Sequence, residues 1–338
     1  MMKIARDMKR VARLLLCLSL PAACTMEEAV LPELADGKEV RLELSARVHA
    51  AGAPESRVLG DDENFPVGDY RFGTWICYSD SLPKFVPSKI GYANLQTDMK
   101  VDRDGKQTWK YTFENGRDGT LNVSRGVPVH IYTFYPRPQN GPHATQPDNV
   151  PFTSGPTDWM WAMESIAGED LEGRQTTVSL KFGHAMTCLR IIIKCKYAGS
   201  KLTSITLKDK KKRIYTGGTM NLAERKLTLD EGDRTGELKV EYNTPLSTTE
   251  KDFYIFMPAV EGYEDGDFTL SFVFDKNPAK TEFSIPKKIK GPDGTDVLIE
   301  NFETGKRYTY RLTLDNPMIF VPAGVDDSWT TENRDLIL

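Results

Sequence analysis

Residues that commonly carry catalytic or metal chemistry are few and scattered in this sequence. Its four histidines and five cysteines show no C-x-x-C or H-x-x-x-H spacing, so we predict no metal site and no cofactor. Neither a Gly-x-Ser-x-Gly elbow nor a phosphate-binding loop occurs. Glycoside hydrolysis needs two carboxylates at a defined separation, and no acidic pair stands out here. The sequence therefore predicts a protein without enzymatic activity.

Trp159 and Trp161 are the pair of residues that most suggests ligand binding. They lie two residues apart in a proline-rich segment, with Met160 between them. On a strand this spacing places both indoles on one face, where exposed rings could stack on sugar rings. This possible glycan contact supports an alternative function as a surface glycan-binding lipoprotein. The other interpretation is that the two indoles cover the core.

Charge and hydropathy exclude two further classes of protein. Lysine and arginine number 44 against 48 aspartates and glutamates, so no positive excess is available to bind nucleic acid. The main apolar run is Leu14–Leu20, which is far shorter than the roughly 20 residues of a membrane-spanning helix. We expect neither a nucleic-acid partner nor a transmembrane segment.

The N-terminal residues have the pattern of an export signal. Basic residues precede the apolar run, and small residues follow it, so residues 1–23 are predicted to be a signal peptide. Leu20–Cys24 resembles the bacterial lipobox, in which the cysteine is acylated and becomes the new N-terminus. We therefore expect lipidation of Cys24, with residues 24–38 as a linker. An ordinary signal peptide followed by a chance cysteine is the alternative.

The remaining cysteines predict buried thiols rather than a disulfide framework. Cys188 and Cys195 are seven residues apart in one apolar run. If that run is a strand, an odd spacing points the two side chains to opposite faces of the sheet. They then cannot bridge each other.

Apolar and polar residues alternate along most of the chain, which is the pattern of half-buried strands. Turn residues separate these runs, and sustained helical periodicity is hard to find. This predicts an all-β fold of antiparallel β-sandwiches. A chain of this length normally divides, and a polar gap at residues 168–176 suggests domains over residues 39–172 and 173–338. The first run alternates at Val40, Leu42, Leu44, Ala46 and Val48.

Several short motifs, in this order, resemble a known family. The sequence is similar to the fimbrillin-like lipoproteins of Bacteroidetes, which are subunits of type V pili, over nearly all of the chain after the signal peptide. The motifs are the lipobox, the alternating first run, Ser56-Arg57, Val129–Pro136, Leu180–Met186, Gly218–Leu222, Phe302–Tyr308 and Val325–Trp329.

The resemblance implies both an architecture and a mode of assembly. It implies two tandem transthyretin-like sandwich domains and a structural pilus subunit with a role in adhesion. The protein would be lipid-anchored at the outer membrane, through Cys24, before it reaches the cell surface or pilus. A surface protease would then cleave after an arginine, and a strand of another pilus subunit would replace the first strand, in a homo- or heteropolymer.

The residues after the first run offer two candidate cleavage sites. Arg57 matches the short Ser-Arg motif of the family, whereas cleavage at Arg47 would release the first strand alone. Either arginine could also be a plain surface charge. The strand-exchange segment would be the first run itself, through its five apolar residues. Met318–Leu338 could be the donor strand or a last strand of this chain's own core.

Overall fold

Strands built from alternating apolar and polar residues make up most of the described chain. The structure is a computed structural model that describes residues 39–48, 63–78, 90–113, 116–139, 144–195, 200–275, 281–290, 296–314 and 319–326. Two short 3₁₀ turns, Gly168–Leu171 and Glu231–Asp233, are the helical elements within these ranges. The prediction of an all-β fold is confirmed.

The structure contains 25 strands within the described residues. In chain order they are β1 Glu39–Val48, β2 Glu63–Asn64, β3 Gly68–Tyr78, β4 Ile90–Val101, β5 Gln107–Thr112, β6 Asp118–Gly119, β7 Leu121–Ser124, β8 Val129–Tyr135, β9 Val150–Thr153, β10 Met160–Ile166, β11 Gln175–His184, β12 Thr187–Cys195, β13 Lys201–Asp209, β14 Ile214–Tyr215, β15 Gly217–Asn221, β16 Lys226–Leu229, β17 Arg234–Thr235, β18 Glu237–Pro245, β19 Lys251–Met257, β20 Phe268–Phe274, β21 Thr281–Ser284, β22 Lys288–Lys290, β23 Asp296–Leu298, β24 Arg307–Leu314 and β25 Ile319–Asp326.

The first large sheet has the order β2-β1-β11-β10-β8-β3-β4-β5-β6, with β7 also paired to β1. It curls around a hydrophobic core, to which β1, β3, β4, β7, β8 and β11 contribute. Both faces of β8 are buried, because its odd- and even-numbered side chains enter two different cores. This is why β8 lacks the simple alternation of a half-exposed strand.

The later strands form a second sandwich. One four-stranded sheet has the order β19-β12-β24-β25 and the other has the order β18-β13-β20-β21. Apolar residues from both sheets meet in a second core, as expected when two sheets pack face to face. A third core, between the two sets of sheets, includes Trp75 and Phe134 from the first sheet and Met220 and Phe256 from the later strands.

Two of the strand pairings are parallel, although the sequence predicted antiparallel sandwiches. β1 runs parallel to β11, and β12 runs parallel to β24, whereas the other pairings of the described strands are antiparallel. A parallel pair needs a crossover of about a dozen residues or more, and far longer stretches of chain separate both pairs. Local sequence cannot specify such pairings between distant strands.

The change from the first core to the second lies after β11. Val178, Leu180 and Phe182 of β11 belong to the first core, whereas Leu189 of β12 belongs to the second. The domain boundary predicted between residues 172 and 173 lies one strand before this change of core and stays a prediction. The polar gap used for that prediction forms a surface turn between β10 and β11, and so it does not separate the two cores.

Candidate strand-exchange site

The apolar side of β1 is an integral part of the first core. The five alternating residues predicted as the strand-exchange segment point inward, and each side chain is at most 5% exposed. They are Val40, Leu42, Leu44, Ala46 and Val48. Burying a large aliphatic side chain contributes about 1.5–3 kcal/mol, so the four larger ones contribute roughly 6–12 kcal/mol as an upper estimate. This strand is therefore held strongly by side-chain burial alone.

The opposite side of β1 faces the solvent. The side chain of Arg41 is 53% exposed, and its guanidinium lies 3.5 Å from the carboxylate of Glu43. Such exposed ion pairs contribute little to stability. The strand thus has one side that recognises the core and one side that tolerates almost any polar residue.

One backbone edge of β1 is satisfied by β11. Eight successive residues pair in parallel, from Arg41 opposite Gln175 to Val48 opposite Phe182. The N–H of Arg41 donates to the carbonyl oxygen of Arg174 at 3.0 Å. β11 is therefore the strand with which β1 pairs over most of its length.

The backbone groups on the other edge of β1 have different partners in three successive sections of the strand. β7 pairs with residues 39–42 and β2 pairs with residues 47–48. Between them, within the described residues, no strand pairs with β1 on this edge. Side chains of β5 contact the backbone there instead: the hydroxyl of Tyr111 accepts from the N–H of Leu44 at 3.4 Å, and Gln107 contacts Ala46.

Gln107 and Tyr111 are contacts that the sequence analysis missed. Their alternation within β5 marks them as inward-facing residues. However, β5 lies far from β1 in the order of the sheet, and only the curling of the sheet brings the two strands together. Burial raises the pKa of Tyr111, against the opposing effect of the bond from the Leu44 N–H, so the hydroxyl stays neutral near pH 7.

Of the two candidate cleavage sites, the structure describes Arg47 and does not describe Arg57. Arg47 lies inside β1, where it pairs with Lys181 of β11 and with Asn64 of β2. Its side chain is exposed, but the peptide bond that a protease must bind is part of a sheet on both edges. Arg57 lies outside the described residues, as do Cys24, the predicted signal peptide and the linker.

The possible glycan contact at Trp159 and Trp161 does not agree with their positions. The two residues are only 5% and 7% exposed, and both belong to the third core. The indole Nε1 of Trp159 donates to the carbonyl oxygen of Thr153 at 2.9 Å, and its ring stacks on Phe134. Because stacking on a sugar needs an open ring face, the core-covering interpretation replaces the sugar-binding one.

The three described cysteines are buried thiols, which confirms the prediction for these residues. Cys188 enters the third core and Cys195 enters the second, so the odd spacing does point them to opposite faces. Burial raises the pKa of Cys77 to about 12, which makes its thiol unreactive at neutral pH.

The described residues offer neither a metal site nor a membrane-spanning helix. These residues contain no group of three or more histidine, cysteine or acidic side chains that could hold a metal ion. Across the same ranges, no helix has the length and apolar character needed to cross a membrane.

The basic run at residues 210–213 follows β13 and belongs to an ion-pair network. Arg213 binds the buried carboxylate of Asp209 through its backbone N–H at 2.6 Å and its guanidinium at 2.8 Å. The same guanidinium lies 2.9 Å from the carboxylate of Asp267. The ammonium of Lys211 also lies 2.9 Å from the Asp267 carboxylate. These ion pairs and hydrogen bonds fix the connection after β13.

This network predicts a loss of stability in acid. Burial alone would raise the pKa of Asp209, but the hydrogen bonds from Arg213 and Lys211 outweigh it and hold that pKa below its ordinary value of 3.8. A carboxylate with a lowered folded-state pKa stabilises the fold above its unfolded pKa, and this contribution disappears as pH falls through the folded value. Asp209→Asn should lower the free energy of unfolding by about 2 kcal/mol at pH 7 and by much less near pH 2.

Urea unfolding at several pH values measures this difference. Glu237→Gln, which changes an exposed acid at the start of β18, serves as the matched control and should leave stability within about 0.5 kcal/mol of wild type. An Asp209→Asn deficit that is the same at pH 2 and pH 7 would contradict the assignment.

The fold defines a β-sandwich protein whose first strand is buried in the first core and paired with β11. Residues 84–331 match the model of the family described as fimbrillin-like, and the chain belongs to this family. The family identifies a structural protein of the cell surface and not an enzyme.

Solved structures share this fold at low sequence identity. A candidate cell adhesion protein from Bacteroides ovatus is 17% identical with a TM-score of 0.55, and the match covers 87% of this chain and 99% of that one. Similar proteins from Bacteroides uniformis and Bacteroides fragilis are 16% and 10% identical. Both have a TM-score of 0.53 and cover 88% of this chain, with 99% and 100% of their own chains matched. The comparison with curated proteins finds no match.

Proposed function

We propose that the protein is a structural subunit of a cell-surface fimbria that assembles by exchange of β1 for a strand of a neighbouring subunit. The observation that carries this proposal is the way in which β1 is held. Its five inward side chains complete the core, and its backbone pairs with β11 over eight successive residues. Both kinds of contact could be made by a strand from another chain, because neither needs a covalent link.

Proteolysis after Arg57 would make β1 replaceable. A protease requires an extended segment that is free to enter its cleft, and strands in a sheet do not supply one. The pairing of Arg47 on both edges therefore favours Arg57 as the cleavage site. After that cut, β1 would stay with the rest of the subunit only through noncovalent contacts.

Lipidation of Cys24 would give cleavage a second consequence. Residue 24 precedes β1, so the lipid and the first strand would lie on the same fragment once the chain is cut after residue 57. An uncut subunit would remain attached to the outer membrane through its own chain. A cut subunit would be free to join other subunits once its first strand is replaced.

The position of β25 limits which part of the C-terminal segment could serve as a donor strand. This strand pairs with β24 of the same chain over residues 319–326, at the edge of its own sheet. That pairing supports a place in this chain's own sheet for this part of Met318–Leu338. Residues 327–338 lie outside the described residues and stay a candidate donor segment.

Treatment with an arginine-specific protease should convert the mature protein into polymers. We expect wild type and Arg47→Ala to form fibres that electron microscopy and size-exclusion chromatography detect. Arg57→Ala, the matched variant, should remain monomeric because β1 stays covalently linked. Polymerisation of Arg57→Ala at the wild-type rate, or a wild-type protein that loses β1 and stays monomeric, would overturn the proposal.

A further inference from the structure

The carboxamide of Gln107 binds the backbone of β1 as a neighbouring strand would. Its Oε1 accepts from the N–H of Ala46 at 2.8 Å, and its Nε2 donates to the carbonyl oxygen of Ala46 at 2.6 Å. One side chain thus satisfies both hydrogen-bonding groups of one residue. Within the described chain, this happens at the place where neither β2 nor β7 covers the edge of β1.

A second side chain from the same face of β5 acts on the adjacent position of that edge. Residues 44 and 46 direct their backbone groups to the same side, because this direction repeats every two residues along a strand. The Leu44 N–H donates to the Tyr111 hydroxyl. Gln107 and Tyr111 therefore bind the backbone of Ala46 and Leu44, the two successive residues whose backbone groups point to the outer edge of β1.

A side chain of β4, the strand that pairs with β5, binds the backbone of β7 in a similar way. The hydroxyl of Tyr92, on β4, donates to the carbonyl oxygen of Asn122 at 2.9 Å and lies 3.3 Å from the N–H of the same residue. Asn122 pairs with Arg41 of β1. Side chains of β5 thus bind backbone atoms of β1, and a side chain of β4 binds backbone atoms of β7, the strand next to it.

We infer that Gln107 and Tyr111 form a backbone clamp that positions whatever strand occupies the groove of β1. The inference rests on the proposed function. The ligand would be an extended polypeptide segment of another subunit, recognised by its N–H and C=O groups rather than by its side chains. Core pockets would select the apolar residues of that segment, and the clamp would select its register.

The clamp discriminates against a shift by one residue. Such a shift turns every apolar side chain of a strand to the solvent and also turns the backbone groups opposite Gln107 toward β11. A proline at the position of Ala46 would leave the Gln107 Oε1 without its donor, because proline has no N–H. A donor segment should therefore lack proline at that position.

The test is binding of a labelled strand by the mature protein after cleavage at Arg57 and removal of its own residues 24–57 by size-exclusion chromatography in urea, followed by refolding. The probe is a fluorescent synthetic peptide of residues 39–48, and binding is measured by anisotropy after size-exclusion chromatography. Gln107→Met, which keeps the length of the side chain but removes both hydrogen bonds, should bind the peptide on the order of 10-fold to 100-fold more weakly than wild type. Thr108→Met, on the exposed face of β5, is the matched control and should bind as wild type does.

A peptide methylated on the nitrogen of Ala46 separates positioning from a general structural role. It should bind wild type at least about 10-fold more weakly, yet lose much less additional affinity for Gln107→Met, since the bond is already absent there. Tryptophan fluorescence and the urea midpoint check that each variant is folded. If Gln107→Met does not fold, Gln107→Glu replaces it, because a carboxylate keeps the acceptor but repels the Ala46 carbonyl oxygen.

The outcomes distinguish the clamp from strand exchange itself. Uptake by wild type, together with equal affinity for Gln107→Met or losses that simply add, would overturn the clamp and leave strand exchange intact. Failure of the cleaved wild-type protein to take up the peptide at all would overturn strand exchange and, with it, the recognition role of Gln107. Weakened, non-additive binding would establish the clamp.

Discussion

Leu42→Ser should lower the free energy of unfolding by about 3–5 kcal/mol and release β1 from its groove. Leu42 is 1% exposed at the centre of the first strand's apolar side. Truncation of a buried leucine costs the lost transfer free energy and leaves a cavity, and the new hydroxyl would be buried as well. In the cleaved protein, the weakened β1 should dissociate faster, so strand exchange should accelerate.

The matched control for this variant is Arg41→Ser, one residue away on the same strand. The Arg41 side chain is exposed, so we expect a change of no more than about 0.5 kcal/mol. Urea unfolding followed by tryptophan fluorescence measures both variants. Similar costs for the two substitutions would mean that burial of the alternating residues does not hold β1 in place.

Gly73→Ala should destabilise the first sandwich by about 3 kcal/mol. Gly73 lies in β3, and a Cβ atom there would be 2.0 Å from the ring of Phe134 and 2.6 Å from the Asn94 Oδ1. The backbone cannot move aside easily, because Gly73 pairs with Gln96 of β4 and with Phe134 of β8. Overpacking of this kind forces strained rotamers or backbone shifts.

Gly183→Ala is the control for Gly73→Ala, since it adds the same methyl group to another strand of the same sheet. The nearest atom to a Cβ at Gly183 would be the Trp161 Nε1 at 3.6 Å, an ordinary contact distance. We expect its stability to remain within about 1 kcal/mol of wild type. Differential scanning calorimetry of both variants checks the pair, and a Gly73→Ala protein as stable as Gly183→Ala would contradict the packing described for β3.

The features that could be predicted from the sequence are those with a local physical cause. The alternation from Val40 to Val48 identified the buried side of β1, because the side chains of a strand point alternately to its two faces. The same reasoning placed Cys188 and Cys195 on opposite faces of one strand. Family resemblance added the fimbrillin-like assignment, which the family match confirms.

Features that depend on contacts between distant strands could not be predicted in this way. The parallel pairing of β1 with β11 and the approach of Gln107 to Ala46 both arise when the sheet curls. The burial of Trp159 and Trp161 has a similar cause, because the later strands supply the residues that cover them. A two-residue spacing of indoles looks the same in a sequence whether it faces water or a second layer of sheets.

The parallel pairing of β1 with β11 has a consequence for any fibre built by strand exchange. An incoming strand that reproduces this ladder must enter in one direction, so each added molecule takes the orientation of the one before it. Head-to-tail contacts that do not close on themselves give open filaments. Such a filament has two unlike tips, one offering a vacant cleft and the other an unused strand, and it lengthens differently at each.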